Sequence, residues 1–149
     1  MALRQYDPLK VTGAFAGVRG SIDIIDGAVY GDFLNVTRDA PMWDRETDGF
    51  GNTIRVKHNN IGGRVSLQLS ASSPTNQQLS EIALSDAIAE TNVGYLTLRD
   101  LNGTTTIICT GVWIADFPQL AFGVSRGSRL WVFECAAIQV VLAGGHEEA

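Results

Sequence analysis

The sequence has few basic residues and very little lysine. Lys10 and Lys57 are its only lysines, and 11 lysine and arginine residues stand against 16 aspartate and glutamate residues, for a formal net charge of −5. A protein that binds nucleic acid tightly needs an excess of positive charge, because it has to neutralise phosphate groups. The composition excludes tight nucleic-acid binding, although an acidic wall remains compatible with DNA passing along it.

Histidine and cysteine are also scarce, with two of each. His58 and His146 lie near no nucleophile motif, which leaves no Ser-His-Asp or Cys-His set. Together with Cys109 and Cys135 they match no zinc-ligand spacing, so we expect no catalytic site, no metal site and no cofactor. Both cysteines lie in apolar, strand-like runs and are predicted to be buried free thiols. His58 is predicted to be a solvent-facing strand residue.

Long apolar runs are absent as well. None reaches the length of a membrane span, and the first residues lack the apolar core of a signal peptide, so no membrane partner is expected. Hydrophobic residues make up 45% of the chain and charged residues 18%. This excludes a disordered chain, and so little charge indicates surface that partners hide. With 149 residues and 16 glycines, the chain is predicted to be a single, mostly β domain over residues 1–149.

Strand-like segments separated by turn signals recur along the chain. They are predicted at 10–17, 21–25, 31–38, 53–58, 64–70, 95–100, 104–115, 119–124 and 129–142. Asn102-Gly103 supplies the positive φ angles that a tight hairpin turn between 95–100 and 104–115 requires. Trp113 and Trp131 lie in apolar strand-like runs and are predicted to be core residues.

The segment 64–70 has two distinct faces. Its apolar residues alternate with small polar ones, which predicts a strand with one buried side and one polar side. The apolar side is Val65, Leu67 and Leu69, and the polar side is Ser66, Gln68 and Ser70.

A single helix is predicted over residues 74–90. Ser73 is the predicted N-cap, Pro74 suits the first helical position, and Asn92 or Gly94 is predicted to end the helix. Its apolar residues spread over about two-thirds of the circumference. They are Leu79, Ile82, Ala83, Leu84, Ala87 and Ile88. One sheet cannot cover so wide an arc, so either a loop or a neighbouring subunit covers the rest.

Asp86 falls in the middle of this apolar arc. A buried carboxylate without partners is costly, so Asp86 is predicted to be structural, pairing with an arginine or accepting N–H groups from a loop. The alternative, a catalytic acid, lacks any companion residue.

The segment 39–52 breaks the strand pattern and is predicted to be a long loop or an extended hairpin arm. Asp44, Glu46, Asp48 and Gly49 superficially resemble a calcium loop, but the glutamate expected six residues after that glycine is missing, which favours a solvated loop. Met42-Trp43 lies where little core is near, and an exposed pair of this type is an interface anchor. The last residues, 143–149, are predicted to form a flexible tail.

Two ordered sets of residues together indicate a family. The first consists of Asp48-Gly49, Thr53-Ile54-Arg55-Val56-Lys57, Gly63-Arg64-Val65-Ser66-Leu67-Gln68-Leu69, Ser73-Pro74-Thr75-Asn76-Gln77-Gln78-Leu79 and Asp86. The second consists of Leu98-Arg99-Asp100-Leu101-Asn102-Gly103-Thr104, Val112-Trp113-Ile114-Ala115, Pro118, Phe122-Gly123 and Trp131. In order and spacing, over roughly residues 10–137, they resemble the tail tube proteins of contractile-tailed, myovirus-type bacteriophages.

The resemblance implies an antiparallel β-sandwich or open barrel with one flanking helix. Copies of such a chain form hexameric rings that stack into a tube, and one sheet of each subunit joins a barrel around the lumen. The implied partners are the chain itself, the tail sheath, baseplate and tail-terminator proteins, and the tape measure protein and genome DNA in the lumen without sequence-specific binding. The implied location is the virion tail, assembled in the host cytoplasm.

The resemblance also maps onto residues of this chain. The segment 41–52 is expected to reach the adjacent ring, and the expected inter-ring or subunit contacts are Met42, Trp43, Asp44, Arg45, Glu46, Asp48, Phe50, Leu84 and Ile88. The polar face Ser66, Gln68 and Ser70 is expected to line the lumen. Two alternatives stay open: a baseplate, adaptor or tube-initiator protein of the same fold, and the tube of a phage-derived contractile particle. An enzyme is disfavoured because no catalytic set is present.

Overall fold

Antiparallel strands make up most of the structure, a computed structural model that describes residues 11–17, 20–25, 33–90, 93–101, 105–120, 122–123 and 127–142. In chain order its elements are β1 (Val11–Gly17), β2 (Gly20–Asp23), β3 (Leu34–Arg38), β4 (Trp43–Thr47), β5 (Thr53–Lys57), β6 (Gly63–Ser70), α1 (Thr75–Ala89), β7 (Gly94–Asp100), β8 (Thr106–Asp116) and β9 (Ser128–Val141). The predicted mostly β fold with a helix is confirmed. The predicted turn at Asn102 and Gly103 and the predicted tail at 143–149 lie outside the described residues.

Seven of the strands form one antiparallel sheet in the order β2-β1-β7-β8-β9-β6-β3. Its two longest strands, β8 and β9, each run through both halves of the sheet. Strand β7 pairs with residues 106–112 of β8, and β6 pairs with residues 128–135 of β9. The first half-sheet consists of β2, β1, β7 and the segments 106–110 and 137–141. The second half-sheet consists of the segments 112–116 and 128–135 with β6 and β3.

The two half-sheets meet at a bend beside Gly111 in β8. The φ angle of Gly111 is 62°, in the left-handed region, and a Cβ there would lie 2.8 Å from the Cβ of Ala136 on β9. Glycine therefore occupies a position that a side chain would strain. Gly111 is an extra residue relative to β7, and such a bulge bends the strand. The two half-sheets consequently fold over a shared core as an open barrel.

The extra residue also changes which side chains of β8 face the core. Cys109 and Val112 are both fully buried although they are three positions apart. Trp113 consequently points away from the core, with 37% of its surface exposed. The prediction that Trp113 is a core residue is wrong, because simple alternation ignores the bulge at Gly111.

Both half-sheets and the helix contribute to the core. Its large buried side chains include Phe15, Leu67, Leu79, Ile82, Leu96, Trp131 and Phe133. Trp131 is thus buried as predicted, and Cys109 and Cys135 are buried free thiols, also as predicted. A hydrogen bond to Cys109, together with burial, raises the pKa of Cys135, so this thiol stays protonated and inert.

Side-chain hydrogen bonds fix the first turn of α1 against the sheet. The Thr75 hydroxyl donates to the carbonyl oxygen of Asp23 in β2 at 3.2 Å. Trp131 Nε1 donates to Asn76 Oδ1 at 2.9 Å, and Asn76 Nδ2 donates to the carbonyl oxygen of Ser70 at 2.9 Å. The helix therefore starts where β6 ends and is tied to three strands, β2, β6 and β9.

The helix begins at Thr75, one residue later than predicted. Pro74 stands at the N-cap position with helical dihedral angles, and the Ser73 hydroxyl accepts the N–H of Thr75 at 3.3 Å. This bond satisfies one of the free N–H groups at the helix start. Within the described residues, no helix has both the length and the apolar character needed to cross a membrane.

The helix ends at Ala89, one residue before the predicted end, and Glu90 is its C-cap. Glu90 has a φ of 60°, in the left-handed region, and its N–H donates to the carbonyl oxygen of Asp86 at 2.8 Å. Asn92 lies outside the described residues. The alternative that Gly94 ends the helix is wrong, because the chain has already turned at Glu90. Gly94 serves strand pairing instead, since a Cβ there would lie 2.2 Å from the carbonyl oxygen of Ala16.

Candidate assembly interface

Strands β4 and β5 form a two-stranded arm that is separate from the seven-stranded sheet. They pair antiparallel, from Trp43 opposite Lys57 to Thr47 opposite Thr53. Every residue of both strands is exposed, so the described part of the chain covers neither face of the arm. Of the two interpretations of 39–52, the hairpin arm is the one observed. The predicted strand at 53–58 is its second strand and not part of the main sheet.

The turn of the arm is held by Asp48. Its Oδ1 accepts the N–H groups of Phe50 and Asn52, each at 2.9 Å, and its Oδ2 accepts the Asn52 side-chain amide at 3.0 Å. The hydrogen bonds from Asn52, and then that from Phe50, lower the pKa of Asp48, because they stabilise the charged carboxylate. The turn presents the Phe50 ring to solvent, with 94% of its surface exposed.

The register of the arm separates its side chains by charge. The basic face carries Trp43, Arg45, Arg55 and Lys57, and the acidic face carries Met42, Asp44, Glu46, Ile54 and Val56. Arg45 lies directly opposite Arg55, and like charges in that position weaken a cross-strand pair. The Arg55 guanidinium lies 3.7 Å from the centroid of the Trp43 ring, a cation–π contact. The basic face, at positions 43, 45, 47, 53, 55 and 57, thus has three cations and no carboxylate.

The root of the arm is closed by His58. Its Nε2 bonds to the Asp44 carboxylate, and its main-chain N–H donates to the carbonyl oxygen of Met42 at 3.1 Å. The side chain of His58 keeps 33% of its surface exposed. His58 therefore faces solvent only in part, and it joins the two strands of the arm beyond the end of β5.

The second side of the apolar arc on α1 is uncovered. Leu79 and Ile82 are buried in the core, whereas Leu84 is 55% exposed and Ile88 is 87% exposed. Asp86 is half-buried on the core side of the helix. No loop in the described part of the chain covers Leu84 and Ile88.

The outward face of the second half-sheet carries small polar side chains along β6 and apolar ones beside them on β9, where Leu130 lies opposite Gln68 and Val132 lies opposite Ser66. Ser66, Gln68 and Ser70 lie half-buried on this face, and Gln68 Nε2 donates to Ser128 Oγ at 3.2 Å. Arg64 and Glu134 pair across it at 2.7 Å. Asp116 lies opposite Val132, which lies opposite Ser66, so Asp116 adds a carboxylate to the same face.

The second half-sheet has two uncovered edges. Among the described residues, β3 pairs only with β6 and the segment 113–116 pairs only with β9, because β7 ends opposite Val112. Each step between neighbouring strands is antiparallel. The two edges consequently run in opposite directions.

An apolar groove of about 310 Å³ lies beside the first half of α1. Its lining residues are Ala71, Asn76, Ser80, Phe117, Pro118, Leu120, Arg129 and Trp131. Phe117 is 47% exposed and Leu120 is 62% exposed, and next to the groove Phe122 is 85% exposed. Together these exposed apolar side chains form a larger patch than isolated surface residues would.

The described residues contain no group of three or more His, Cys, Asp or Glu side chains that could hold a metal ion. What the structure offers instead is an exposed arm, two uncovered edges and apolar patches. Features of this kind are typical of a structural subunit that assembles with further protein chains.

Comparison with known families is consistent with this class. The sequence profile of the bacteriophage PhiTE tail tube protein family matches residues 3–143. The chain belongs to this family of phage tail tube structural proteins, which confirms the resemblance drawn from the sequence. A search of curated proteins finds no matching relative.

Several solved structures share the fold at low identity. A chain in the cryo-EM structure of the anti-feeding prophage tube-terminating cap has a TM-score of 0.61 and 9% identity, over 93% of this chain and 91% of that one. A chain in the sheath-tube complex of the PVC extracellular contractile injection system in its extended state has a TM-score of 0.61 and 11% identity, over 93% and 92%. A chain in the PVC sheath/tube terminator has a TM-score of 0.62 and 12% identity, over 91% and 96%. These likenesses show the fold, an antiparallel β domain with a flanking helix.

Proposed function

We propose that this chain is the subunit of a phage tail tube whose hexameric rings stack around a lumen that conducts genome DNA into the host. Family membership supports the tube role. The observation that carries ring formation is the pair of uncovered, oppositely directed edges on the second half-sheet.

The edges support a head-to-tail ring. Four strand segments make up the second half-sheet, so β3 of one copy can pair antiparallel with the segment 113–116 of the next copy. Repeating such a contact around an axis closes a ring, and closure removes strand edges that otherwise promote aggregation. Trp113 lies in this edge segment, where a neighbouring copy would cover its exposed ring.

The polar face supports a lumen that does not retain DNA. In a ring built through these edges, one face of the second half-sheet turns toward the axis, and its hydroxyl and amide groups at Ser66, Gln68 and Ser70 keep a water layer. The opposite charges of Arg64 and Glu134 cancel each other in their ion pair. Without free cations on this face, phosphate groups find no counter-charge to hold them.

The arm supports ring stacking. It continues from the ends of β3 and β6 at Arg38 and Gly63, and it carries the expected contact residues Met42, Trp43, Asp44, Arg45, Glu46, Asp48 and Phe50. Deleting residues 44–51 should abolish stacking and leave rings, because the arm contributes nothing to the core. Stacked tubes from the deletion variant would show that the arm has another role.

Tail sheath, baseplate and terminator proteins are the proposed partners outside the tube, and the tape measure protein and DNA are the proposed contents of the lumen. The relation to a sheath is supported by the fold shared with the PVC sheath-tube chain. The proposed location is the virion tail, assembled in the host cytoplasm.

A tube-terminating or adaptor protein is the second candidate, favoured by the equal likeness to cap and terminator chains. Negative-stain electron microscopy of the purified protein separates the two. Long tubes of uniform bore, with sixfold end views, support the tube subunit. Discrete rings that never stack would identify a cap or adaptor, and monomers at high concentration would contradict both.

A further inference from the structure

The tip of the arm, residues 46–52, holds one aromatic side chain out in solvent. The ring of Phe50 is exposed, although its main-chain N–H donates to the Asp48 carboxylate, which also accepts the N–H of Asn52. The backbone of the turn is therefore fixed, and a partner that covers the ring does not have to order it first. Exposed aromatic rings of this kind are enriched in protein–protein interfaces.

The apolar groove beside α1 suits a phenyl ring in size and lining. Its walls include the rings of Phe117 and Trp131, whose centroids lie 6.1 Å apart, and the side chain of Leu120. The groove has a volume of about 310 Å³, whereas an apolar cavity of about 150 Å³ already accommodates benzene. A phenyl ring that enters the groove buries apolar surface of both partners and gains aromatic contacts.

The two polar side chains of the groove already have hydrogen-bond partners. Asn76 accepts from the Trp131 ring N–H and donates to the carbonyl oxygen of Ser70. The Ser80 hydroxyl donates to the carbonyl oxygen of Asn76 at 2.7 Å. A ring that covers these groups therefore breaks none of their bonds, and the cost of burying unpaired polar atoms does not arise.

A second concavity of the molecule lacks these properties. It has a volume of about 390 Å³ on β1, β2 and β7, and its lining includes Thr12, Ser21, Asp23, Thr97 and Arg99. Hydroxyl and charged groups bind water, so an apolar ring placed over them would cost hydrogen bonds. Of these two concave surfaces, the groove beside α1 is the one that favours an aromatic side chain.

The groove also has the charge that complements the tip. Among the described residues that line it, Arg129 is the charged one, and its guanidinium lies 5.5 Å from the centroid of the Phe122 ring. Within the described part of the chain, Arg129 forms no ion pair. The tip carries Glu46 and Asp48 and no cation. The two surfaces therefore attract each other, although the copies as a whole repel.

The arm and the groove lie at opposite ends of β6. The arm is followed by Gly63 at the start of this strand, and Ala71 of the groove directly follows Ser70 at its end. Over its eight residues β6 spans about 24 Å. A contact that joins opposite ends of a subunit is heterologous, so it can be repeated from copy to copy in one direction, as the stacking of rings requires.

From these observations we infer that the tip of the arm inserts Phe50 into the groove of a copy in the adjacent ring. The phenyl ring packs against Phe117, Leu120 and Trp131, and the carboxylates of the tip face Arg129. Within one chain Phe50 is exposed, so the occupant of the groove is a second copy. The inference rests on the proposed function, because it names the surface that receives the arm when rings stack.

Cross-linking in assembled tubes tests the contact. Gly49→Cys places a thiol beside Phe50 and keeps the ring, and a Cβ at Gly49 meets no atom within 4 Å. Leu120→Cys places a second thiol at the groove. The native Cys109 and Cys135 are buried and do not compete for the reagent. A short bismaleimide should join copies that carry both substitutions into a ladder of dimers, trimers and longer chains on a denaturing gel.

Controls distinguish this contact from chance proximity. Each single variant should give no ladder, because each contact then holds only one reactive thiol. Gly49→Cys with Ile88→Cys is the matched control, since Ile88 is exposed on α1 and does not line the groove. This pair should give no ladder either, and a ladder as strong as that of the groove pair would contradict the docking.

Replacement of the ring itself gives a second, independent measurement. Phe50→Ala should raise the concentration needed for tube assembly at least about tenfold, because it removes the apolar side chain that the groove buries. Phe50→Leu keeps much of the apolar surface and should assemble at a lower concentration than Phe50→Ala. Circular dichroism of both variants should match that of the unmodified chain, because the arm lies outside the core.

The outcomes separate this inference from the proposed function. A ladder from the groove pair alone, together with weakened assembly of Phe50→Ala, supports the docking. Tubes of the groove pair that give no ladder, or assembly of Phe50→Ala at the concentration of the unmodified chain, overturn the docking while the tube function stands. If the unmodified chain forms no tubes, the proposed function fails and this inference fails with it.

Discussion

Asn76 joins the first turn of α1 to two strands, and its replacement tests how much of the stability depends on that junction. Asn76→Ala removes the acceptor of the Trp131 N–H and the donor to the Ser70 carbonyl oxygen. Trp131 is only 1% exposed, so its N–H would lose its partner inside the core, at a cost of about 1–3 kcal/mol. The second bond adds about 1 kcal/mol, and the higher helix propensity of alanine returns about 0.5 kcal/mol.

The expected loss is therefore about 1.5–3.5 kcal/mol of unfolding free energy, or a Tm lower by about 3–14 °C for a domain of this length. Thermal unfolding followed by circular dichroism measures it, at a concentration where size-exclusion chromatography finds no assembly, because assembly would add stability of its own. Gln77→Ala, at the adjacent exposed position, is the control and should stay within about 0.5 kcal/mol. A loss below about 0.5 kcal/mol for Asn76→Ala would refute the reasoning.

Three other perturbations follow from the structure. Gly111→Ala should destabilise the fold by about 1–2 kcal/mol from its left-handed φ alone, measured by urea unfolding, whereas Gly123→Ala, with open space around its Cβ position, should change little; equal effects would contradict the bend. Because hydrogen bonds lower the pKa of Asp48, its carboxylate stabilises the turn above the ordinary pKa of aspartate. That support is lost as the pH falls through the lowered value, so NMR amide shifts of the arm turn should titrate with acid and become pH-independent in Asp48→Asn. Ser66→Lys with Gln68→Lys should slow DNA release without blocking assembly, and unchanged infectivity would place these side chains outside the lumen.

The strand pattern of the main sheet could be predicted from local sequence because one side of each strand faces a core. In β6, Val65, Leu67 and Leu69 alternate with polar residues, and this alternation predicts which side chains are buried. The bend could not be predicted in the same way. A single glycine inside an apolar run does not reveal whether the alternation continues through it or shifts by one residue, and the wrong placement of Trp113 followed from assuming that it continues.

The arm could be predicted only in part. A free-standing hairpin has no buried side, so Trp43 to Thr47 shows no apolar alternation, and the sequence leaves both a long loop and an extended hairpin arm open. A signal was present, because Asp48-Gly49 is a turn pair and the segments on either side of it have equal length. A two-residue turn at Asp48-Gly49 would set Arg45 opposite Asn52, whereas the observed connection spans residues 48–52 and sets Arg45 opposite Arg55. The uncovered stripe on α1, by contrast, was predictable from the width of the apolar arc that ends at Leu84 and Ile88.

The distribution of charge bears on how copies of this chain choose an orientation. Two chains that each carry a formal charge of −5 repel one another at long range, and physiological salt screens that repulsion beyond roughly 8 Å. At contact distance only orientations that join unlike surfaces are favourable. Among the surfaces described above, the basic face of the arm is the concentrated positive one, so it selects acidic surfaces on a neighbouring copy. A surface of uniform charge would have suppressed aggregation equally well, but it could not have specified which parts of two copies meet.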